Sequence, residues 1–324
     1  MWLVDPLAVR DVSGLAGVMA EARIEKVLHG AEYDLTLLKR DFAFTIRSLF
    51  DTQIAAQFLG RRAFGLAPLL EGELGVRLSK TAQRCDWSLR PLTPAQVRYA
   101  AEDVRHLVGL RDKLLDELRR RGREAWVREE CEALVEETLP AVRRGPADFL
   151  GARGARDLRP LELAVLKEVF ALREEWARAL DRPLFKVVGD EALMRIAVRQ
   201  PRDAAALGPI GGLSSSVRNG HGREIVEAVR RALSLPEGER PTFPDRRGKR
   251  MTWECSRRVD RLKGWRVKAA ERTGLDPGVL LPQRLIERIA LADPKTREEL
   301  AAVPGVRRWR AGELGEEIVS ALRG

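Results

Sequence analysis

Cysteine and histidine are both scarce in this chain, with three of each among 324 residues. Cys85, Cys131 and Cys255 are far apart and odd in number, which argues against a disulfide framework or a zinc knuckle and leaves reduced thiols as the expectation. His106 and His221 have no partners at ligand spacing, so no chemistry is assigned to them. No apolar run approaches the roughly 20 residues that cross a bilayer, and the N-terminus lacks the basic, apolar, small-residue order of a signal peptide. A cytoplasmic protein without a membrane partner is expected. A composition of 44% apolar and 33% charged residues is that of a soluble globular chain of two or three domains.

The net charge of +10 is unevenly distributed. Residues 1–140 carry 21 Lys and Arg against 22 Asp and Glu, which leaves 37 against 26 for the remainder. The excess basicity therefore lies in the C-terminal part, where it suits a polyanion, nucleic acid above all. An arginine-rich genome composition is the competing explanation.

Early in the chain, strands alternate with helices. Trp2–Pro6 reads as a short strand stopped by proline, Leu15–Ala22 as an amphipathic helix, and Lys26–His29 as a buried strand turned by Gly30 into a helix over Glu32–Lys39. Ser48–Phe50 is a third extended piece, and Asp51 is placed to cap a helix from Thr52 to Leu59. This alternation implies an α/β layer, one that is short of strands. A long helix is expected from Pro94 to Arg121, then a charged one to Leu139. Pro140–Pro160 has the composition of a linker.

Beyond that linker the pattern is wholly helical and internally duplicated. At an offset of 93 residues, Ile196-Ala197 matches Ile289-Ala290, Pro201 matches Pro294, Gly212 matches Gly305, and Glu224-Ile225 matches Glu317-Ile318. The expected organisation is a domain over 1–140, a linker over 141–158, a helical domain over 159–235, a basic linker over 236–250 and a second, divergent copy over 251–324. In each copy a helix, a glycine turn and another helix are expected: Ala204–Gly212 then Gly222–Leu233, and Thr296–Gly305 then Gly312–Leu322. The turns at Gly212 and Gly305 either present backbone N–H groups to phosphate or simply end helices. Trp253, Trp265 and Trp309 either stack on bases or belong to the core.

The stretch around Thr93–Leu107 places chemistry on a well-marked helix. Thr93, Pro94 and Gln96 form a capping box with proline at the first helical position. Val97, Ala100, Ala101, Val104, Leu107 and Val108 recur at helical spacing and are expected to be buried. Tyr99 and Asp103 lie one turn apart on an adjoining face. Either they serve a hydrolytic site, with the carboxylate on a divalent metal and the phenol orienting water, or they border the buried face.

His29-Gly30-Ala31-Glu32-Tyr33-Asp34, Asp51-Thr52-Gln53, Asp86-Trp87 and the Tyr99/Asp103 helix together resemble the ribonuclease D family, 3′→5′ exoribonucleases of the Asp-Glu-Asp-Asp superfamily, tyrosine subtype. The duplicated half resembles its paired helicase-and-ribonuclease-D C-terminal (HRDC) domains. The resemblance implies an α/β ribonuclease-H-like exonuclease domain followed by two small all-α HRDC-type domains. It also implies two divalent cations, Mg²⁺ or Mn²⁺, and RNA as partner: precursor tRNA and other small structured RNAs, with no obligate protein partner evident. By matching positions, Asp34 and Asp103 are metal ligands and Tyr99 aligns the attacking water. His29, Lys80 and Arg84 are candidate contacts to nucleic acid.

One departure from the family pattern matters. Its first motif, Asp-x-Glu on the opening strand, is absent from these 324 residues, so the exonuclease domain is expected to be incomplete and to lack its opening strands. Asp51-Thr52-Gln53 imitates that motif but is read as a helix cap, and Asp5 as a structural acid. A start codon assigned downstream of the true one, a truncated relative, and completion by another chain are the three explanations; intact Asp34, Tyr99 and Asp103 favour the first. The alternative function is a catalytically silent nucleic-acid-binding protein that uses the basic helical half. A purely structural module would leave the survival of those three residues unexplained.

Overall fold

The computed structural model describes every residue except 10, 80, 81, 84, 139–147, 244–251 and 324. The chain forms two compact units, one of residues 1–141 with 249–324 and one of residues 142–248.

In the first unit, α1 (Ala16–Ala20) precedes β1 (Lys26–Leu28), α2 (Glu32–Phe42), β2 (Leu49–Asp51) and α3 (Thr52–Phe58). β1 and β2 pair in parallel with Val27 opposite Phe50, the crossover being α2. Lys39, in the last turn of α2, donates to the carbonyls of Val135 and Thr138 and so ties α2 to the next layer. That layer comprises α4 (Leu66–Leu74), α5 (Pro94–Arg105), α6 (Leu107–Arg120) and α7 (Glu124–Glu137). Leu110, Leu114 and Leu118, one stripe of α6, are fully buried.

Three expectations for this region are corrected. Trp2–Pro6 is not a strand: Trp2 is 94% exposed, and Asp5 folds the segment into a turn by accepting from the Leu7 N–H at 3.0 Å. A lone strand without a partner has nothing to pair with, and Pro6 removes a donor. The long helix is two, α5 and α6, which meet at His106 (φ −101°, ψ 0°). The expected buried stripe is largely open, with Val97, Val104 and Val108 at 41%, 51% and 55% exposure. Helical spacing shows that this face is apolar, and among the described residues nothing covers it.

The same unit contains the second helical copy: α12 (Trp253–Thr273), α13 (Pro277–Leu280), α14 (Gln283–Ala292), α15 (Arg297–Ala301) and α16 (Arg308–Arg323), numbered after the first copy's helices below. It shares one apolar core with the α/β part. Trp309 stacks on Trp126 with ring centroids 4.7 Å apart, and its indole N–H donates to Glu130 at 2.9 Å. Glu129 receives the backbone N–H groups of Arg308 and Trp309 at the start of α16, where a carboxylate offsets the positive end of the helix. Trp309 is therefore core. Trp265 donates to Glu317, and Trp253 is 71% exposed with the Arg257 guanidinium over its ring.

The second unit is the first copy: α8 (Pro160–Ala179), α9 (Leu184–Val187), α10 (Asp190–Arg199) and α11 (Ser215–Leu233). The 93-residue offset carries α10 onto α14 residue for residue, and the left-handed residues that end them, Gln200 and Asp293, also correspond (φ 48° and 50°). Gly212 and Gly305 both hold φ near 90°. The long helices that follow begin earlier than the glycine pattern predicts, at Ser215 and Arg308, so Gly222 and Gly312 lie inside them. Between Ala204 and Gly212 the only helix is the single 3-10 turn Ala205–Leu207. Residues 148–158, expected in a linker, instead place Phe149 and Ala155 in this core at 4% and 0% exposure. Linker composition here conceals two apolar anchors. No described helix is long and apolar enough to cross a membrane.

Candidate active site

Asp51 organises one group of the expected site residues. Its carboxylate is 1% exposed and accepts from four backbone N–H groups: Gly30 (3.0 Å), Ala31 (2.7 Å), Gln53 (2.7 Å) and Ile54 (3.4 Å). One acid thus caps α3 and pins the start of α2, whose first turn carries Asp34. Gly30 makes the turn at φ +65°, and a Cβ there would lie 3.0 Å from the Gln53 side-chain oxygen. His29 lies at the end of β1 with Nδ1 2.9 Å from the Thr52 hydroxyl, which itself donates to the Leu28 carbonyl at 3.1 Å. Because that hydroxyl has a single proton, Nδ1 carries the imidazole hydrogen and Nε2 keeps its lone pair. Burial lowers the His29 pKa, against the pull of Asp51. Asp34 is reached by solvent but crowded by protein; desolvation, then the charge of Asp51, raises its carboxyl above the ordinary range.

A second group is built on α5. Thr93 and Gln96 form the capping box, and the buried Gln96 amide also donates to the Asp86 carbonyl at 2.9 Å. That bond holds the Asp86-Trp87 loop, so that the Trp87 ring packs 5.9 Å from the Tyr99 ring. Arg90 in the same loop forms a two-pronged pair with Asp5, at 2.5 and 3.0 Å. The Tyr99 phenol lies beside the Asp103 carboxylate one turn on, close enough for the two to shift each other's titration. Burial and then that carboxylate raise the Tyr99 pKa, which keeps the phenol protonated. Burial also raises Asp103, and the neighbouring Tyr99 phenol partly opposes it.

The structure therefore brings Tyr99 to Asp103, and His29 and Asp34 to Asp51. Among the described residues no direct interaction links Asp34 to Asp103, and no group of three or more His, Cys, Asp or Glu gathers to hold a metal ion. Carboxylate oxygens are the donors that Mg²⁺ and Mn²⁺ prefer. Asp34 and Asp103 fit such cations in chemistry, and fall short of a full ligand set in number. Lys80 and Arg84 lie outside the described residues. Sequence reasoning missed the tie from Gln96 to Asp86: the capping pattern announces its backbone role and says nothing of its amide.

Comparison with known proteins bears on the family and the domain order. A 3′-5′ exonuclease family model matches residues 1–119, and the HRDC domain model matches 162–229 and 256–322. Ribonuclease D of Pseudomonas paraeruginosa is 32% identical over 327 residues, covering 99% of this chain and 84% of that protein. Ribonuclease D of Haemophilus influenzae is 30% identical, with 99% and 80% covered. The crystal structure of Escherichia coli RNase D, described as an exoribonuclease involved in structured RNA processing, superposes with a TM-score of 0.70 at 28% identity, covering 98% of this chain and 84% of that one. The catalytic core of RRP6 from Trypanosoma brucei superposes at 0.60 with 29% identity, over 72% and 66% of the two chains. On sequence, domain order and fold together, the chain belongs to the ribonuclease D family, hydrolytic 3′-5′ exoribonucleases with HRDC domains.

Proposed function

We propose that this chain is the main body of a divalent-metal-dependent exoribonuclease that removes nucleotides one at a time from RNA 3′ ends, with precursor tRNA and other small structured RNAs as substrates. The observation that carries the reading is the Tyr99 phenol set beside the Asp103 carboxylate, one turn apart on α5, with the Trp87 ring packed against it. In that arrangement the protonated phenol aligns a water and Asp103 offers it a metal-side acceptor. Asp34 supplies a second ligand from α2. Two cations held there would neutralise the charge that grows on the phosphodiester during in-line displacement. His29, with Nε2 free of its proton, and Lys80 and Arg84 ahead of Asp86 are candidates to position the strand, while the basic helical copies grip its body.

Two carboxylates do not define a two-metal site. The reading therefore includes completion of the site by an Asp-x-Glu segment from outside these 324 residues, which contain none. The two-stranded sheet and the exposure of Val97, Val104 and Val108, which no described residue covers, support that part of it. A catalytically silent binding role is not favoured, because the relatives matching nearly the whole chain are ribonucleases D. The test is incubation of the chain, and of a form extended upstream with the missing motif, with 3′-extended tRNA and Mg²⁺. Both should bind and the extended form should trim; a metal-independent or internal cut by the extended form would refute the proposal.

A further inference from the structure

The loop from Asp86 to Pro91 contains neither helix nor strand, so its backbone groups must find partners elsewhere. The Gln96 amide takes the Asp86 carbonyl. Arg90 takes the next two: one terminal nitrogen, Nη1, donates to the carbonyls of Trp87 and Leu89, each at 2.8 Å. The remaining two nitrogens, Nε and Nη2, reach both oxygens of Asp5 at 2.5 and 3.0 Å. All three guanidinium nitrogens are thereby engaged, in the planar fork that only arginine presents.

Asp5 is itself held. Its carboxylate accepts from the Leu7 N–H at 3.0 Å, and its carbonyl accepts from the N–H groups of Ala8 and Val9 at 3.1 and 2.8 Å. The hydrogen bond from Arg90 keeps its carboxyl below the usual carboxylate range, so the acid is ionised at neutral pH. The pair is open to solvent, with side chains 33% and 20% exposed, and adds little to global stability. What it does is geometric: it joins residues 85 positions apart and ends on the carbonyl of Trp87.

The half-buried Trp87 ring lies 5.9 Å from the Tyr99 ring at an interplanar angle of 55°, and among the described residues no other ring packs on Tyr99. A chain of contacts therefore runs from Asp5 through Arg90 and the Trp87 backbone to the face of the phenol.

We infer that Asp5 and Arg90 form a positioning pair for the reaction, which anchors the Trp87 loop so that its indole holds the Tyr99 ring in place; this rests on the phenol aligning the attacking water. The test is NMR of the full chain grown on ring-labelled tyrosine, in a Tyr33→Phe background where Tyr99 is the sole tyrosine. Trp87→Leu removes the ring current of the indole and gives the reference displacement of the Tyr99 resonances. Asp5→Ala and Arg90→Lys should each displace them in the same direction by at least about half as much, with the urea midpoint unchanged. Arg90→Lys keeps the charge and loses the fork, so its displacement shows that geometry is what matters. In the upstream-extended form, with 3′-extended tRNA and Mg²⁺, both variants should lower kcat by about tenfold and leave KM within about twofold, as expected when a group acts only in the transition state. Tyr99 resonances unmoved in both variants overturn the positioning role. That measurement needs neither RNA nor metal, so its failure is separate from failure of the nuclease reading, which an inactive extended form with Asp5 and Arg90 intact would reveal.

Discussion

Replacing Asp51 by alanine removes the acceptor of four backbone N–H groups at once. Hydrogen bonds to a charged group contribute about 1.5–3 kcal/mol each, and a buried donor left without a partner costs about 1–3 kcal/mol. Ala31 has no exposed surface, so water cannot readily replace the lost acceptor there, whereas the N-terminus of α3 is partly open. The four contacts act as a unit and do not add; a loss of about 4 kcal/mol is expected, near the upper end for single substitutions. Asp51→Asn should cost about half as much: an amide oxygen in the place of Oδ1 keeps Gly30, Gln53 and Ile54, and only the Ala31 N–H then faces a second donor. Urea unfolding gives the ranking. Hydrogen exchange by mass spectrometry gives the place, with faster exchange over 30–34 and 52–55 in the alanine variant and over 30–34 alone in the asparagine variant. An alanine variant within about 0.5 kcal/mol of the parent, with both segments still protected, would refute the role assigned to this carboxylate.

Val104→Glu should change the stability of the 324-residue chain by less than about 0.5 kcal/mol, since exposed positions tolerate substitution, and should destabilise the upstream-extended form far more; equal small effects in urea melts would show that this face stays uncovered. At pH 8, iodoacetamide should modify exposed Cys85 and spare Cys131, whose thiol burial pushes up to about 12; peptide mass mapping reads the result. Arg307 holds the Glu137 carboxyl below its ordinary value, so this pair stabilises the seat of α16 on α7 above the unfolded carboxyl pKa of about 4.5 and is lost as pH falls through the lowered folded value. Glu137→Gln should accordingly flatten the acid limb of the stability–pH curve below about pH 4.5, by a small amount because the group is largely exposed.

Elements whose partners lie nearby in sequence were legible from it. The strand–turn–helix at Lys26–Phe42 and the capping signals at Asp51 and Thr93 depend on neighbours within a few residues, and they form where the pattern places them. The 93-residue duplication was legible as well, and it extends to the left-handed residues that end α10 and α14. What failed depends on partners that periodicity cannot name. Among the described residues, Trp2–Pro6 has strand composition and no strand beside it, and Val97, Val104 and Val108 have helical spacing and no cover. The docking of the second copy on α7, through Trp309, Glu129 and Glu130, was hidden for the same reason: those residues are some 180 positions apart. In the site, the resemblance supplied Asp34, Tyr99 and Asp103, and the physical chemistry that relates Gln96 to the Trp87 loop required coordinates.

The most direct test of the catalytic reading is the length distribution of a 5′-labelled, 3′-extended tRNA after incubation with Mg²⁺ and the upstream-extended form, beside its Asp34→Ala and Asp103→Ala variants. The account predicts a ladder shortening one nucleotide at a time from the 3′ end, at least a hundredfold slower in either variant, and RNA binding without shortening by the 324-residue chain. A ladder that survives both substitutions, or one produced by the 324-residue chain and abolished by Asp103→Ala, would contradict it.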